Sequence, residues 1–199
     1  MNNAEIVEKW AREQIGSAYG WGATGKLCTP SYRARLMQQY PGRAADLRRM
    51  CRVALGQATV CGDCKYKGRR IFDCAQFVRR GLELLGEKPK SGCTSMWRSG
   101  VLWQEKGVIG PDNLEKIRST ACVVLRAGEN GTMAHVGFAF PGGVVVEAMS
   151  TGFGVVEAEL KGPPRYTHFA LPRAYVGEKI AEERVEGELY ATLKYGKVS

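Results

Sequence analysis

Cys74 is the side chain of this sequence whose type and position best suit nucleophilic catalysis. It follows Asp73 at the predicted start of a helix, where the helix dipole and the unpaired backbone N–H groups stabilise a thiolate. Such a thiolate could attack a carbonyl carbon, and neighbouring N–H groups could stabilise the oxyanion that forms. The position is equally typical of a buried structural cysteine, because free cysteines are among the most buried residues.

A cysteine nucleophile needs a base, and the sequence offers only two histidines, His135 and His168. His135 lies in the middle of a predicted strand and shares one strand face with Gly137 and Ala139. Their small side chains leave room for an imidazole to reach the end of a helix. We therefore interpret His135 as the base, with a hydrogen-bonded core histidine as the alternative.

Glu147 is the only acid in the next predicted strand, across a hairpin turn at Pro141-Gly142-Gly143. A carboxylate there could hold the imidazole in one tautomer and stabilise its protonated form. This role requires His135 and Glu147 to lie on the same face of the sheet. The alternative is that Glu147 points into solvent.

The elements that must position these groups follow from the spacing of apolar residues. Helices are predicted over residues 3–15, from Thr29-Pro30 to before Pro41, over about 43–55, and from Asp73 to Gly86. Residues 87–120 are expected to be mostly irregular. Strands are predicted at 121–126, 133–140, 143–149, 155–160 and 167–171. Helices followed by an antiparallel sheet indicate an α+β fold.

Positive charge is concentrated in one part of the chain. The net charge is +9, and residues 26–80 carry thirteen Lys and Arg against three Asp, a net of +10. Such a block indicates an anionic partner, with a solvated basic face as the alternative. The length favours a single domain at 1–177, with a basic helical insertion at about 26–70 and a peripheral tail at 178–199.

The seven cysteines do not form an obvious disulfide framework, because their number is odd and no signal peptide is visible. Four of them lie in the basic insertion: Cys28, Cys51, Cys61 and Cys64. A four-thiolate zinc site or a redox pair at Cys61 and Cys64 remains open, but reduced thiols are the favoured reading, so no metal or cofactor is predicted. Cys93 and Cys122 have no partner pattern.

Three motifs occur in a characteristic order: Tyr19-Gly20-Trp21-Gly22, then Phe72-Asp73-Cys74-Ala75-Gln76-Phe77, then Ala134-His135-Val136-Gly137. In this order they resemble the NlpC-type (NlpC/P60) papain-like cysteine peptidases of the bacterial cell wall. The versions in phages and prophages, which carry a helical insertion before the cysteine, are the most similar. The resemblance spans about residues 4–172. It implies a nucleophile-bearing helix packed on an antiparallel sheet of about five strands.

The resemblance also implies roles for individual residues. Cys74 would be the nucleophile, His135 the base, and Glu147 would occupy the third polar position, which is often His in the family. Tyr19, Trp21 and Asp73 would form the substrate-binding site, and His168 would be structural. The usual Asp-Cys-Ser-Gly motif is replaced here by Asp73-Cys74-Ala75-Gln76. The serine tied to recognition of the acidic stem-peptide residue is therefore missing.

The expected function is a cysteine peptidase that hydrolyses amide bonds in peptidoglycan stem peptides, as a phage lysin or a tail-associated enzyme. The basic region at 26–80 would bind anionic wall polymer, and nucleic acid is a less favoured partner. Because residues 1–15 lack an apolar signal core and no membrane span is predicted, we expect synthesis in the cytoplasm and action at the wall after lysis-type release or in a phage particle. The alternatives are a catalytically silent binding module for nucleic acid or wall polymer, and a papain-like acyltransferase or thioesterase.

Overall fold

The computed structural model describes residues 1–49, 51, 53, 55–58 and 60–176 of the 199-residue chain. The tail predicted at 178–199 lies outside the described residues. The helices are α1 (Asn3–Glu13), α2 (Pro30–Gln39), α3 (Ala44–Arg49), α4 (Cys74–Glu83), α5 (Cys93–Trp97), α6 (Leu114–Arg118) and α7 (Arg173–Val176). The strands are β1 (Ala18–Tyr19), β2 (Thr24–Leu27), β3 (Arg70–Phe72), β4 (Trp103–Val108), β5 (Cys122–Ala127), β6 (Met133–Phe140), β7 (Val144–Ser150), β8 (Gly154–Glu159) and β9 (His168–Pro172). No helix in these ranges is long and apolar enough to cross a membrane.

The larger sheet has six strands in the order β4-β9-β5-β6-β7-β8, and its neighbouring strands pair antiparallel. The predicted α+β class is confirmed, and the five predicted strands are present within one or two residues of their predicted ends. The sheet has one strand more than expected, because β4 pairs along the free edge of β9.

Residues 87–120, predicted to be mostly irregular, contain three short elements that the sequence did not predict: α5, β4 and α6. In β4 only Trp103 is buried, and the charged residues that follow it face solvent. An edge strand of this kind lacks the alternation of apolar and polar residues by which strands are recognised in sequence. The two helices have five residues each, too few for a helical period to emerge.

The third helix is shorter than the predicted 43–55. A 3₁₀ turn at Pro41–Arg43 leads into α3, and the Cys51 N–H donates to the Arg48 carbonyl oxygen at 2.8 Å, which closes the end of the helix in a tight turn. Residues 51, 53 and 55 are not helical. Met50 and Ala54, on which the longer prediction rested, lie outside the described residues.

The helix α4 packs on the sheet through an aromatic core. The Phe77 ring lies 5.8 Å from the Phe138 ring of β6 and stacks at 5.2 Å on Trp10 of α1. A Cβ atom added at Gly81 would come within 2.5 Å of Phe138 Cζ, so the glycine allows the helix backbone to approach β6 closely. This packing fixes the height and direction of α4 relative to the sheet.

A second, three-stranded sheet with the order β1-β3-β2 delivers the chain to the start of α4. β3 ends at Phe72, directly before Asp73, and the Asp73 N–H donates to the Ala23 carbonyl oxygen at 2.9 Å. The loop that joins β1 to β2 is thereby held against the N-terminus of α4.

The insertion between β2 and β3 shares a small core with the elements beside it. The buried residues of this core are Tyr32, Leu36, Leu47 and Tyr66 of the insertion, with Ala18, Ala23 and Ile71 from outside it. One of the basic residues of the insertion is not part of a solvated face: Arg33 is buried and donates to Cys28 Sγ at 3.2 Å and to the Leu47 carbonyl oxygen at 2.9 Å. The insertion also touches the β1–β2 loop, because a Cβ atom at Gly22 would overlap the Tyr40 ring at 2.1 Å. It is therefore a packed part of the molecule.

Candidate active site

Cys74 is the first residue of α4, and its side chain is buried. The helix is capped by Asp73, whose Oδ1 accepts the Gln76 N–H at 2.6 Å. The dipole and the first-turn N–H groups of the helix act on the sulfur at this position. The local geometry that the sequence predicts for Cys74 is therefore present.

His135 and Glu147 meet through the pairing of β6 with β7. The register sets Phe138 opposite Val146, and a Cβ atom at Gly137 would lie 2.9 Å from Glu147 Cβ. The missing side chain at Gly137 leaves the space through which the neighbouring His135 Nε2 contacts Glu147 Oε2 at 2.5 Å. Both side chains are buried, so the structure does not place Glu147 in solvent.

The thiol of Cys74 and the imidazole of His135 form an interacting pair. The pKa of Cys74 is lowered well below its usual value, by a hydrogen bond from Cys93, against the effect of burial, and by a hydrogen bond from His135. Burial alone would lower the pKa of His135, but the hydrogen bonds with Cys74 and Glu147 raise it to about 9. Both shifts favour a thiolate beside an imidazolium, and Nδ1 is the ring nitrogen left for the sulfur because Nε2 contacts Glu147.

Arg165 is a site residue that the sequence did not reveal. Its Nη2 donates to Glu147 Oε1 at 2.5 Å, so each carboxylate oxygen of Glu147 has a cationic partner. Burial would raise the pKa of Glu147, but the hydrogen bonds from His135 and Arg165 lower it below its usual value. Arg165 lies in the loop after Pro163-Pro164, where no periodicity or motif could have placed it against β7.

Tyr19 lies close to the nucleophile, at the end of β1. Burial and the neighbouring Cys74 raise the pKa of its hydroxyl well above the usual value. The hydroxyl therefore stays protonated and can donate a hydrogen bond to an anion at the site.

Asp73, predicted to bind substrate, accepts hydrogen bonds from two separate segments of the chain. Besides its capping contact, its Oδ2 accepts the Gly22 N–H at 3.1 Å. Burial and the adjacent Cys74 raise the pKa of Asp73 to about 7, although the N–H groups of Gln76 and Gly22 favour the carboxylate. Asp73 thus joins the nucleophile-bearing helix to the β1–β2 loop.

A cleft of about 510 Å³ lies beside the start of α4, between the β1–β2 loop and α2. Trp21 lines it and is exposed, with the guanidinium of Arg43 over its ring at 4.5 Å. The insertion contributes Lys26 and Arg35, and Gln76 donates to Ser91 Oγ at 2.8 Å at the opposite wall. The cleft is therefore an open groove with Lys26 and Arg35 on one side and Asp73, the residue before Cys74, on the other.

Cys93 has a partner that the sequence did not predict. It is the first residue of α5, is buried, and places its Sγ 3.7 Å from Cys74 Sγ. The hydrogen bond to Cys74 and burial raise the pKa of Cys93. The contact between Cys74 and Cys93 could not be predicted, because α5 lies in the segment predicted to be mostly irregular.

The other cysteines are free thiols, as are Cys74 and Cys93, so Cys61 and Cys64 are not joined in a disulfide. Among the residues that the structure describes, no group of three or more His, Cys, Asp or Glu side chains is arranged to hold a metal ion. His168 contacts Thr167 Oγ1 through Nδ1 at 2.8 Å and the Trp97 ring at 5.1 Å.

This chain is similar to known proteins in structure but not closely similar to them in sequence. No family profile matches the chain, and no curated protein matches it. Among solved structures, the NlpC/P60 domain of the peptidoglycan hydrolase SagA is 18% identical over 84% of this chain and 97% of that one, with a TM-score of 0.47. The peptidoglycan hydrolase RipB from Mycobacterium tuberculosis is 17% identical over 85% of this chain and 63% of that one, with a TM-score of 0.49. The P60 domain of an antigen from M. avium subspecies paratuberculosis is 20% identical over 85% of this chain and 93% of that one, with a TM-score of 0.48. The structural neighbours of this chain thus include peptidoglycan hydrolases and NlpC/P60 domains.

Proposed function

We propose that this protein is a cysteine-type hydrolase that cleaves amide bonds in the stem peptides of peptidoglycan. The single observation that carries the proposal is the buried Cys74 at the N-terminus of α4, in a hydrogen-bonded pair with His135, whose other ring nitrogen lies 2.5 Å from Glu147. Nucleophile, base and orienting acid are the three parts that thiol hydrolysis needs.

In the acylation step the Cys74 thiolate attacks the carbonyl carbon of the scissile amide. The oxyanion that forms is stabilised by the first-turn N–H groups of α4 and by the protonated hydroxyl of Tyr19. His135 then gives its proton to the leaving amine, and the C–N bond breaks to leave a thioester on Cys74.

In the deacylation step the neutral His135 takes a proton from a water molecule that attacks the thioester. Glu147 stabilises the imidazolium at this stage and keeps the ring in place, and Arg165 holds the carboxylate of Glu147 from its other oxygen. Release of the acid restores the thiolate–imidazolium pair.

The charge of the cleft supports the proposed substrate class. Lys26 and Arg35 line it, and among the described residues of the 26–80 region eight basic side chains are exposed: Lys26, Arg35, Arg43, Arg48, Arg49, Lys65, Lys67 and Arg69. Carboxylate-bearing stem peptides on an anionic wall polymer match this charge. Ala75 stands where the resembling family has the serine tied to the acidic stem-peptide residue, so we propose that the insertion supplies the acidic-residue contacts here.

The helical insertion that precedes the cysteine supports a place among phage or prophage enzymes, which act on the wall after release from the cell or from a phage particle. A catalytically silent module would need neither the thiolate–imidazolium pair nor the buried Glu147. A papain-like acyltransferase or thioesterase would use the same thiol on another acyl group.

Digestion of purified peptidoglycan, with mass analysis of the released fragments, tests the proposal. The wild-type protein should release stem-peptide fragments, and Cys74→Ala should release none while staying folded. Cys61→Ser should act as the wild type because Cys61 does not line the cleft. Wild-type activity in Cys74→Ala would overturn the proposal. No release by any variant, together with binding of duplex DNA that falls steeply with salt, would favour the binding module.

A further inference from the structure

Two cysteine thiols lie in contact at the centre of the site, although the proposed hydrolysis needs only one. Cys74 Sγ and Cys93 Sγ lie 3.7 Å apart, and both side chains are buried. The mechanism uses only Cys74. The second thiol therefore has no part in the hydrolysis proposed above, yet it is the sulfur in direct contact with the nucleophile.

We propose that Cys74 and Cys93 form a reversible redox pair, in which Cys93 captures the oxidised nucleophile as a disulfide. The proposal rests on the proposed function only in that Cys74 is the reactive thiolate. Oxidation would switch hydrolysis off, and reduction would switch it on again.

The geometry allows the bond to form with a small movement. A disulfide needs the two sulfur atoms to approach to about 2.05 Å, from the 3.7 Å observed. Each cysteine is the first residue of its helix, so each side chain can turn about its Cα–Cβ bond without disturbing a helical interior. The helix α5 has five residues and follows Gly92, which has a φ of 89°. It is thus the shorter of the two helices and begins at a glycine.

The chemistry requires an oxidant, and the one proposed is a hydroperoxide. The Cys74 thiolate attacks one oxygen of the O–O bond, an S–O bond forms, and hydroxide or alkoxide leaves and takes up a proton. Cys74 is oxidised by two electrons to the sulfenic acid, and the peroxide is reduced by two electrons. The Cys93 sulfur then attacks the Cys74 sulfur, the S–O bond breaks, and the hydroxyl leaves as water with the Cys93 proton.

The electrostatics of the pair favour this order of events. Cys74 has a lowered pKa and Cys93 a raised one, so Cys74 is the thiolate that meets the oxidant and Cys93 is the thiol that resolves it. Without a resolving thiol, further oxidation of the sulfenic acid to sulfinic acid would be irreversible.

Peptide mapping after hydroperoxide treatment tests the inference without any need for activity. The purified wild-type protein is treated with hydrogen peroxide, blocked with iodoacetamide, digested without reductant and analysed by mass spectrometry. The expected product is a cross-linked peptide pair containing Cys74 and Cys93, lighter by two hydrogen atoms and separated by dithiothreitol. Cys61→Ser is the matched control and should give the same cross-link.

Cys93→Ser should give no cross-link, and its Cys74 should accumulate as sulfinic acid. Dithiothreitol should restore the untreated activity of the wild type and of Cys61→Ser, but not that of Cys93→Ser, with each protein compared with its own untreated sample. Absence of the Cys74–Cys93 peptide in the wild type would overturn the inference, even where hydrolysis is observed. A cross-link in a protein that releases no wall fragments would leave the inference standing and overturn the proposed function. If Cys93→Ser does not fold, the wild-type map alone decides.

Discussion

At the scale of single residues, the candidate site is a row of groups with alternating charge that runs from the surface to Cys74. Arg165, 39% exposed, contacts Glu147, which is 1% exposed and contacts His135, which in turn pairs with Cys74. Each group stabilises the charged form of the next. The protonation state of the catalytic pair therefore depends on residues that never touch the substrate.

Changing Glu147 should move the pH range of the proposed hydrolysis. His135 must be protonated to release the amine, so activity should fall as the pH rises through its pKa of about 9. In Glu147→Gln the carboxylate charge is lost, the pKa of His135 falls, and the alkaline limb of kcat/KM should move down by at least about one pH unit.

Arg165→Gln is the opposite control for this prediction. The Arg165→Gln variant loses a cation near His135 and keeps the carboxylate of Glu147. The pKa of His135 should therefore not fall, and the alkaline limb of kcat/KM should stay in place or move to higher pH. The pH profiles of the three proteins on a soluble peptide substrate measure both effects. An unchanged limb in Glu147→Gln would show that Glu147 does not set the charge of His135.

Three members of this row could be predicted from the sequence. Its fourth member, Arg165, and the cysteine that contacts Cys74, Cys93, could not. Cys74 was identifiable from its position at a helix start, His135 from the scarcity of histidines, and Glu147 from its place across a hairpin. Arg165 and Cys93 reach the site from a proline-containing loop and from a five-residue helix. Neither kind of segment has a periodicity that reveals its neighbours.

At the scale of elements, α4 is fixed at its N-terminus by Asp73 and along its length by close contact with β6. Asp73 both caps the helix and holds the β1–β2 loop, while Gly81 lets the helix approach Phe138. The position of the Cys74 sulfur depends on both attachments.

Removing the cap should destabilise the whole protein. Asp73→Ala should lower the free energy of unfolding by about 1 kcal/mol relative to Asp73→Asn, because asparagine caps helices as well as aspartate does and alanine does not. Urea unfolding of the two variants at one pH gives the difference. Equal stabilities would mean that the contact with Gln76 contributes nothing measurable.

The same position predicts a change of stability with pH. The pKa of Asp73 is raised from 3.8 to about 7 in the folded protein, so the folded state binds this proton more tightly than the unfolded state. The contribution of Asp73 to stability is therefore greatest at low pH and falls as the pH rises to about 7. Asp73→Asn should lack this fall, so its free energy of unfolding should rise relative to that of the wild type between pH 3.8 and about pH 7.

Gly81→Ala should test the close approach of α4 to the sheet. Alanine is favoured over glycine in a helix by about 1 kcal/mol, but its Cβ would lie 2.5 Å from Phe138 Cζ. The overlap should dominate and give a net loss of about 1–3 kcal/mol, with reduced activity as α4 moves away from His135. Gly42→Ala, where a Cβ would meet nothing within 4 Å, should change stability by less than about 0.5 kcal/mol.

Elements with strong periodicity were predictable, and those whose order depends on tertiary contact were not. The strands at 133–140 and 143–149 alternate or are continuously apolar and were identified to within a residue or two. The strand β4 is held by pairing with β9, and its exposed charged residues give no such signal. The predicted third helix ended early because Cys51 closes a tight turn.

At the scale of the whole molecule, the basic insertion and the segments that lead into α4 share one cleft. Lys26 and Arg35 of the insertion and Trp21 and Asp73 of those segments line it together. A substrate in this cleft would therefore be bound by both parts at once.

Reversing the charge of the insertion wall should weaken substrate binding. Lys26→Glu combined with Arg35→Glu should raise KM for wall fragments several-fold with little change in kcat, and should reduce the dependence of KM on salt. The matched control is Lys116→Glu with Lys161→Glu, which has the same change in net charge and breaks only exposed ion pairs with Glu105 and Glu159, of small energetic value. Equal effects of the two double variants would show that net charge alone matters.

The contact between Gly22 and Tyr40 has a consequence for the history and the engineering of such a molecule. Because the Tyr40 ring occupies the space that a side chain at position 22 would fill, the insertion is not a detachable module. A chimera that exchanges residues 26–70 would have to transfer both partners. Among relatives with insertions of other lengths, the two positions should vary together.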